Sequence, residues 1–216
     1  METEVTDINH PRQRRKEARP SEIVEAALIL FHQKGYSATK LDDIAHAAGV
    51  TKGTVYLYFS NKEALFKAAI SEAIHPNLDK IEELASNSTE SATTRLRTAI
   101  TSWATALNEC KGSISKLMIS EAGNFPELTD FYIETVVKRS RLLLAKLIQA
   151  GVDSGEFRPT DPDLLARVLF SPILLTSIWQ HTYARQDPIT YELNQLAQFH
   201  LDIVLHGIAI APEHTL

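Results

Sequence analysis

The chain has 216 residues, 44% hydrophobic and 23% charged, with 8 glycines, 9 prolines and one cysteine. This composition supports a folded core and excludes collagen-like or low-complexity chains, an intrachain disulfide and a cysteine-based zinc knuckle. The net charge of −5 argues against a uniformly basic nucleic-acid binder, yet residues 10–62 hold nine bases against five acids, and residues 63–216 thirteen against nineteen. Only the front of the chain is therefore suited to meet phosphate.

The first residues lack the apolar stretch of a secretory signal, and Arg12, Arg14, Arg15, Lys16 and Arg19 make residues 1–19 a basic arm, expected to be disordered at its start. Helical spacing follows. Ser21 is placed to cap a helix running to about Lys34, with Ile23, Ala27, Leu30 and Phe31 on one face and Gly35 ending it. Thr39, with Asp42 three residues on, reads as a capping box before the stripe Leu41, Ile44, Ala45, Ala48, closed by Gly49. Thr51 caps a short helix that buries Val55 and Phe59, and Ser60-Asn61-Lys62-Glu63 reads as a capping box opening a long helix that Pro76 kinks or ends.

Further helices carry Leu96 to Cys110, Ser113 to Ala122, and Pro126 to about Val152, the last stopped by Gly151 and Gly155. Thr160-Asp161-Pro162 opens the next and Asp187-Pro188 the last. The fold class is all-α, about nine helices, with no strand-like alternation of useful length. The most apolar stretch, Leu164 to Trp179, is interrupted by Arg167 and Pro172, so no membrane span and a cytoplasmic location are expected.

Residues 20–66 have a helix-turn-helix layout, in which the second helix of the pair enters the major groove. Lys52, Thr54, Tyr56 and Tyr58 offer one cation and three hydroxyls outward, and Gly53 lets the backbone lie close to DNA. The glycine-tyrosine after the first helix, the I-A-x-x-A-G-V helix-turn and the G-T-x-Y-x-Y-F-x-x-K-E-x-L ending resemble the DNA-binding domain of TetR-family transcriptional regulators, from Ile23 to Phe66. The phrases at Phe125 to Leu128 and Gly155 to Arg158 resemble such regulators more weakly.

That resemblance implies a DNA-binding domain over residues 20–66 and a helical ligand-binding and dimerisation domain over 67–216. It implies that Thr39, Lys40, Tyr56 and Lys62 hold phosphates, that Lys52, Thr54 and Tyr58 lie at the bases or adjacent sugars with Thr51 and Gly53 also among the DNA-binding residues, and that Arg14 and Arg15 reach the backbone or minor groove. The expected partners are double-stranded operator DNA, an apolar small-molecule effector and a second copy of the chain held through the two C-terminal helices. Trp103, Met118, Glu121, Phe125, Tyr132 and Trp179 are the expected effector-pocket residues, with Asn108 as a further polar candidate; each of them also works as core. No cofactor motif, metal-binding spacing or catalytic constellation stands out: His75, His181, His200 and His206 lack metal-ligand spacing, and Cys110 reads as a small core residue. Two rivals stay open, a DNA-binding protein without an effector and an all-α enzyme with a pair such as Glu121 and His75. An enclosed apolar cavity separates the first from a sensor.

Overall fold

The helical periodicity is realised throughout the computed structural model, which describes residues 11–86, 89–108, 112–189 and 191–208, the side chains of 11–18, 112 and 113 excepted. Cys110 lies outside the described residues. There are nine helical runs among those residues: α1 (Pro11–Ala38), α2 (Leu41–Ala47), α3 (Lys52–Tyr58), α4 (Lys62–Ser86), α5 (Ala92–Ala106), α6 (Gly112–Glu121), a run made of α7 (Pro126–Tyr132), a π segment (Ile133–Lys138) and α8 (Arg139–Asp153), then α9 (Pro162–Tyr183) and α10 (Leu193–Ile208). Two compact units divide between Ala69 and Ile70, inside α4.

In the first unit, α2 packs on both α1 and α3. Ile23, Ala27, Phe31, Ile44, Val55, Leu65 and Phe66 are fully buried. Phe31 meets Phe66 edge-on with ring centroids 4.9 Å apart, and Tyr36 packs on both rings; such pairs add about 0.5–1.5 kcal/mol beyond their buried area. The turn between α2 and α3 passes through Gly49 at φ 64°, where any Cβ would be strained.

Several local expectations shift. Helix α1 begins at Pro11 rather than Ser21, because proline is at home in a first helical turn, and it runs through Pro20; at Gly35 (φ 81°) the backbone leaves helical geometry, where the sequence places the end of the helix, and a further short turn reaches Ala38. Thr39 forms no box with Asp42: its hydroxyl donates backward to the Gly35 and Leu30 carbonyls, and Lys40 becomes the N-cap of α2 without a side-chain bond. Thr51 does cap α3, accepting from the Thr54 amide. The cap of α4 is Asn61, whose Oδ1 accepts from the Ala64 amide at 2.8 Å, not Ser60 one residue earlier. Helix α4 continues past Pro76.

In the second unit α5, α8, α9 and α10 pack round a core of Leu96, Ile100, Leu144, Leu147, Ile148, Leu169, Ile173 and Ala197. Asp161 caps α9, with Pro162 at its first position, accepting from the Asp163 and Leu164 amides at 3.0 Å. By length and composition α9 could cross a membrane; here it packs against α6, α8 and α10 and buries Ala166, Leu169, Ile173 and Ser177.

The start of α5 is held from a distance. Glu156 accepts from the Ala92 amide at 2.7 Å and from the Thr93 amide and hydroxyl at 3.0 Å. Burial opposes its charge, but these bonds outweigh burial and hold the carboxyl below its usual range. Gly151 does not stop α8. It lies within the helix because Phe157 folds back over it, and a Cβ there would fall 2.2 Å from the Phe157 ring. Gly155, at φ 76°, makes the turn. The segment after α9 also departs from expectation. Asp187 caps no helix but accepts the Trp179 indole N–H at 2.9 Å, and α10 begins only at Leu193.

Candidate nucleic-acid surface and effector cavity

Burial of Val55 and Phe59 orients α3. Its opposite face leaves Lys52, Gly53, Tyr56 and Leu57 exposed, with Leu57 70% accessible, and Thr51 is exposed at the cap. Thr54 and Tyr58 are half-buried. The Thr51 and Thr54 hydroxyls lie 2.9 Å apart, one donating to the other. Lys52 Nζ donates to Asp42 Oδ2 at 2.9 Å, and this carboxylate holds the ammonium above its ordinary value. Lys34 pairs with Asp43 at 3.1 Å. Lys40 is exposed at the start of α2. Helix α3 thus presents a cation, a phenol, a bare backbone and an apolar side chain on one strip, a mixture suited to phosphate and groove contact.

Two residues expected to hold phosphates, outside α3, have other commitments. Thr39 is 1% exposed, with its hydroxyl committed to the end of α1. Lys62 donates to the Tyr36, Ser37 and Thr39 carbonyls at 2.8, 3.2 and 3.0 Å, and its ammonium lies 4.4 Å from the centre of the Tyr36 ring. An ammonium has three donors. Here they fasten the end of α1 to the start of α4, a use that competes with any phosphate. The side chains of Arg14 and Arg15 lie outside the described set.

The second unit holds a partly enclosed cavity of about 400 Å³ among α5, α6, the α7–π–α8 run and α9. Its wall is mostly apolar: Trp103, Met118, Ile119, Val136, Leu144, Phe170 and Leu174. Trp103 and Phe170 pack with ring centroids 5.0 Å apart. The π turn sits at this wall, where a locally widened helix commonly accompanies a functional site. Tyr132 contributes a hydroxyl 3.0 Å from Ser115 Oγ. Burial pushes this phenol up despite the Ser115 bond, so it stays protonated. Two wider grooves, of about 710 and 780 Å³, are open and lined largely by charged and polar side chains such as Lys80, Arg97 and Asp202, or Glu134, Lys138 and Arg139.

Of the six residues expected at the effector site, Trp103, Met118 and Tyr132 line the cavity. The other three do not. Glu121 accepts from the Asn124 side chain at the end of α6. Phe125 is the N-cap position of α7. Trp179 follows Leu174 by five residues, which turns it about 140° round α9, and it is 41% exposed, packed on Tyr183. Asn108 is exposed beyond α5. Sequence reasoning missed Arg141, Arg167 and Phe170, all lining residues, because they come from two helices whose pairing no local pattern reveals.

A further apolar face stays uncovered in the second unit. Leu164, Val168, Leu175 and Trp179 of α9 are 60%, 47%, 63% and 41% exposed, and Phe199 and Ile203 of α10 are 66% and 57% exposed. Leu196, by contrast, packs on the unit's own core.

A family model described as bacterial regulatory proteins of the tetR family matches residues 23–69, and one described as the tetracyclin repressor-like C-terminal domain matches residues 87–191. The uncharacterized HTH-type transcriptional regulator YfiR of Bacillus subtilis is 30% identical over 68% of this chain and 72% of its own length. The HTH-type transcriptional repressor KstR2 of Mycolicibacterium smegmatis is 28% identical over 88% of this chain and 91% of its own. The crystal structure of the transcriptional regulator FadR from Bacillus subtilis in complex with stearoyl-CoA superposes with a TM-score of 0.74 at 25% identity, covering 87% of this chain and 98% of that one.

Proposed function

We infer from the tetR family of bacterial regulatory proteins, to which this chain belongs, how its two units divide the work of a DNA-binding transcriptional repressor. The exposed strip of α3 carries the reading: Lys52, Gly53, Tyr56 and Leu57 enter the major groove, Thr51, Thr54 and Tyr58 border it, and Lys40 meets phosphate. Leu57 suits a thymine methyl, and Lys52 is the base-edge donor. Thr39 and Lys62 hold the unit together instead of touching DNA. Arg14 and Arg15 extend the basic surface toward the backbone. A repressor of operator DNA works in the cytoplasm.

The cavity is the effector site, with Trp103, Met118 and Tyr132 among its walls. Its volume sits at the small end of the roughly 300–1,000 Å³ typical of small-molecule pockets, and it takes an apolar body. FadR, similar in fold along nearly its whole length, is seen with stearoyl-CoA, which supports a ligand with a long apolar chain in this architecture. The exposed faces of α9 and α10 are self-complementary surfaces for a homodimer. A dimer presents two α3 helices to half-sites about one helical turn apart, roughly 34–36 Å. An effector that prefers one dimer geometry then changes operator affinity; equal preference for both would change nothing. The helix α4, shared by both units, is the covalent link available for that coupling.

Selection of binding sites from random duplex DNA, followed by titration of wild type and Lys52→Ala, tests the DNA side. A two-fold symmetric site, with relaxed base preference in Lys52→Ala, supports the reading. Indifference of the wild type to sequence overturns it.

A further inference from the structure

Building on the cavity as effector site, we propose that Arg141 and Arg167 form its head-group end and bind the carboxylate or phosphate of an amphipathic effector, which takes them from the half-exposed carboxylate of Asp163.

Both arginines line the same apolar cavity. A purely apolar ligand has no use for two guanidinium groups, and lining a pocket with cations costs solvation unless they are paired. Their pairing is thin. Arg141 Nε lies 2.8 Å from Asp163 Oδ1, yet the approach misses the N–H direction, so the buried Nε–H makes no hydrogen bond among the described residues. Arg167 Nε is 3.6 Å from Asp163 Oδ2, beyond a good hydrogen bond. Among the described residues Asp163 is the carboxylate paired with both cations, and it is half-exposed and lines an open groove rather than the cavity, so the cavity's own lining carries two permanent cations and no carboxylate. A guanidinium has five donors in a planar fork that matches carboxylate and phosphate oxygens two at a time. The side chains of Arg141 and Arg167 are 31% and 57% exposed, so the head of a ligand can reach them while its tail lies against Met118, Phe170 and Leu174.

Asp163 is built to be a competitor. It stands in the first turn of α9, where the helix dipole favours its charge without Arg141. Its displacement therefore leaves no carboxylate stranded. It also ties α8, which carries Arg141, to α9, so an arriving anion replaces a link between those two helices with a link through itself.

The test uses the full chain and measures binding by calorimetry. The probes are straight-chain carboxylates of about eight to sixteen carbons, the alcohols of the same lengths, and the corresponding acyl-CoA thioesters. An anionic probe should bind at least about tenfold more tightly than its matching alcohol, and Arg141→Met should remove that preference, a loss of about ten- to hundredfold for one charge-assisted contact. Arg167→Met serves the same purpose if Arg141→Met fails to fold. Asp163→Asn should tighten the anion and leave the alcohol unchanged. Preference for the free acid over the thioester, or the reverse, identifies the anion as carboxylate or phosphate. Equal binding of alcohols and anions by the wild type would leave the effector site standing and overturn the head-group assignment. So would an Asp163→Asn variant with unchanged or weaker anion binding. Failure of every probe, charged and neutral, overturns both readings.

Discussion

Lys62→Met separates two uses of one ammonium group. If the lysine fastens the end of α1, methionine keeps the stem and removes three bonds to the Tyr36, Ser37 and Thr39 carbonyls, together with the packing over the Tyr36 ring. A hydrogen bond to a charged group is worth about 1.5–3 kcal/mol, but three donors on one half-buried atom do not add, because water recovers part of each carbonyl. With about 0.5–1 kcal/mol for the cation over the ring, the expected loss is about 2–3 kcal/mol. At a slope of roughly 1–3 kcal/mol per molar urea, the midpoint of the first unit falls by about 1 M or somewhat more.

The companion measurement is the salt dependence of binding to random-sequence duplex DNA, where phosphate neutralisation dominates. Each phosphate neutralised contributes about 0.9 to the slope of log K against log salt. Under conditions where the variant is folded, Lys62→Met should keep the wild-type slope. Lys40→Ala, at the exposed start of α2, should lower its magnitude by about 0.9 for each phosphate that the lysine neutralises. An unchanged urea midpoint with a shallower salt slope in Lys62→Met would refute the fastening role and restore Lys62 to the DNA surface.

Glu156→Gln should lower stability by about 1 kcal/mol near neutral pH, as α5 is deprived of its charged cap. Because the folded carboxyl lies below its ordinary value of 4.5, the wild-type advantage is full above that value and fades as pH falls through the folded one; an advantage constant down to acid unfolding would count against the cap. Gly151→Ala gains about 1 kcal/mol of helix propensity but drives a Cβ into the Phe157 ring, so a net loss of about 1–2 kcal/mol is expected, partly recovered by Phe157→Leu. Either Phe199→Glu or Ile203→Glu should halve the mass seen in sedimentation without lowering helix content, and a dimer that survives both would place the interface off α10.

Caps were legible in the sequence where the partner is close. Thr51, Pro126 and Asp161-Pro162 act within three residues of themselves, and each stands where its spacing predicts. Ser60 and Asn61 are both good caps, and only the backbone decides between them. Thr39 has the right spacing to Asp42, but its hydroxyl finds the end of α1 first, a competition invisible without the turn at Gly35. Lys62 illustrates the larger gap. The family resemblance marks the position as important, while its acceptors lie 23 to 26 residues earlier in the chain. Cavity residues were legible as large apolar side chains on helical stripes, but a stripe does not say which of its members face inward. Trp103 and Trp179 look alike in sequence, and only the packing of α5 and of α9 sends the first to the cavity and the second to the surface.

The strip of α3 proposed to face DNA carries its own counter-charge, and this yields a last prediction. Lys52 and Asp42 are 50% and 60% exposed, so their ion pair contributes little to folding. Its consequence lies in recognition. Asp42 sits in the first turn of α2, where the dipole favours a carboxylate, and from there it fixes where the Lys52 ammonium points. A lysine is otherwise a flexible point charge that satisfies any phosphate within reach. If the strip faces DNA as proposed, the Asp42 carboxylate competes with the nearest phosphate for the Lys52 ammonium and limits the positions that it can take up at the base edges. Asp42→Asn removes both the hold and a charge that repels DNA. Random-sequence binding should therefore rise, because phosphate becomes available to Lys52, while the ratio of operator to random affinity falls. Measuring both affinities at one salt concentration decides the point. A uniform rise with the ratio preserved would mean that Asp42 only opposes phosphate and that Lys52 is aimed by something else.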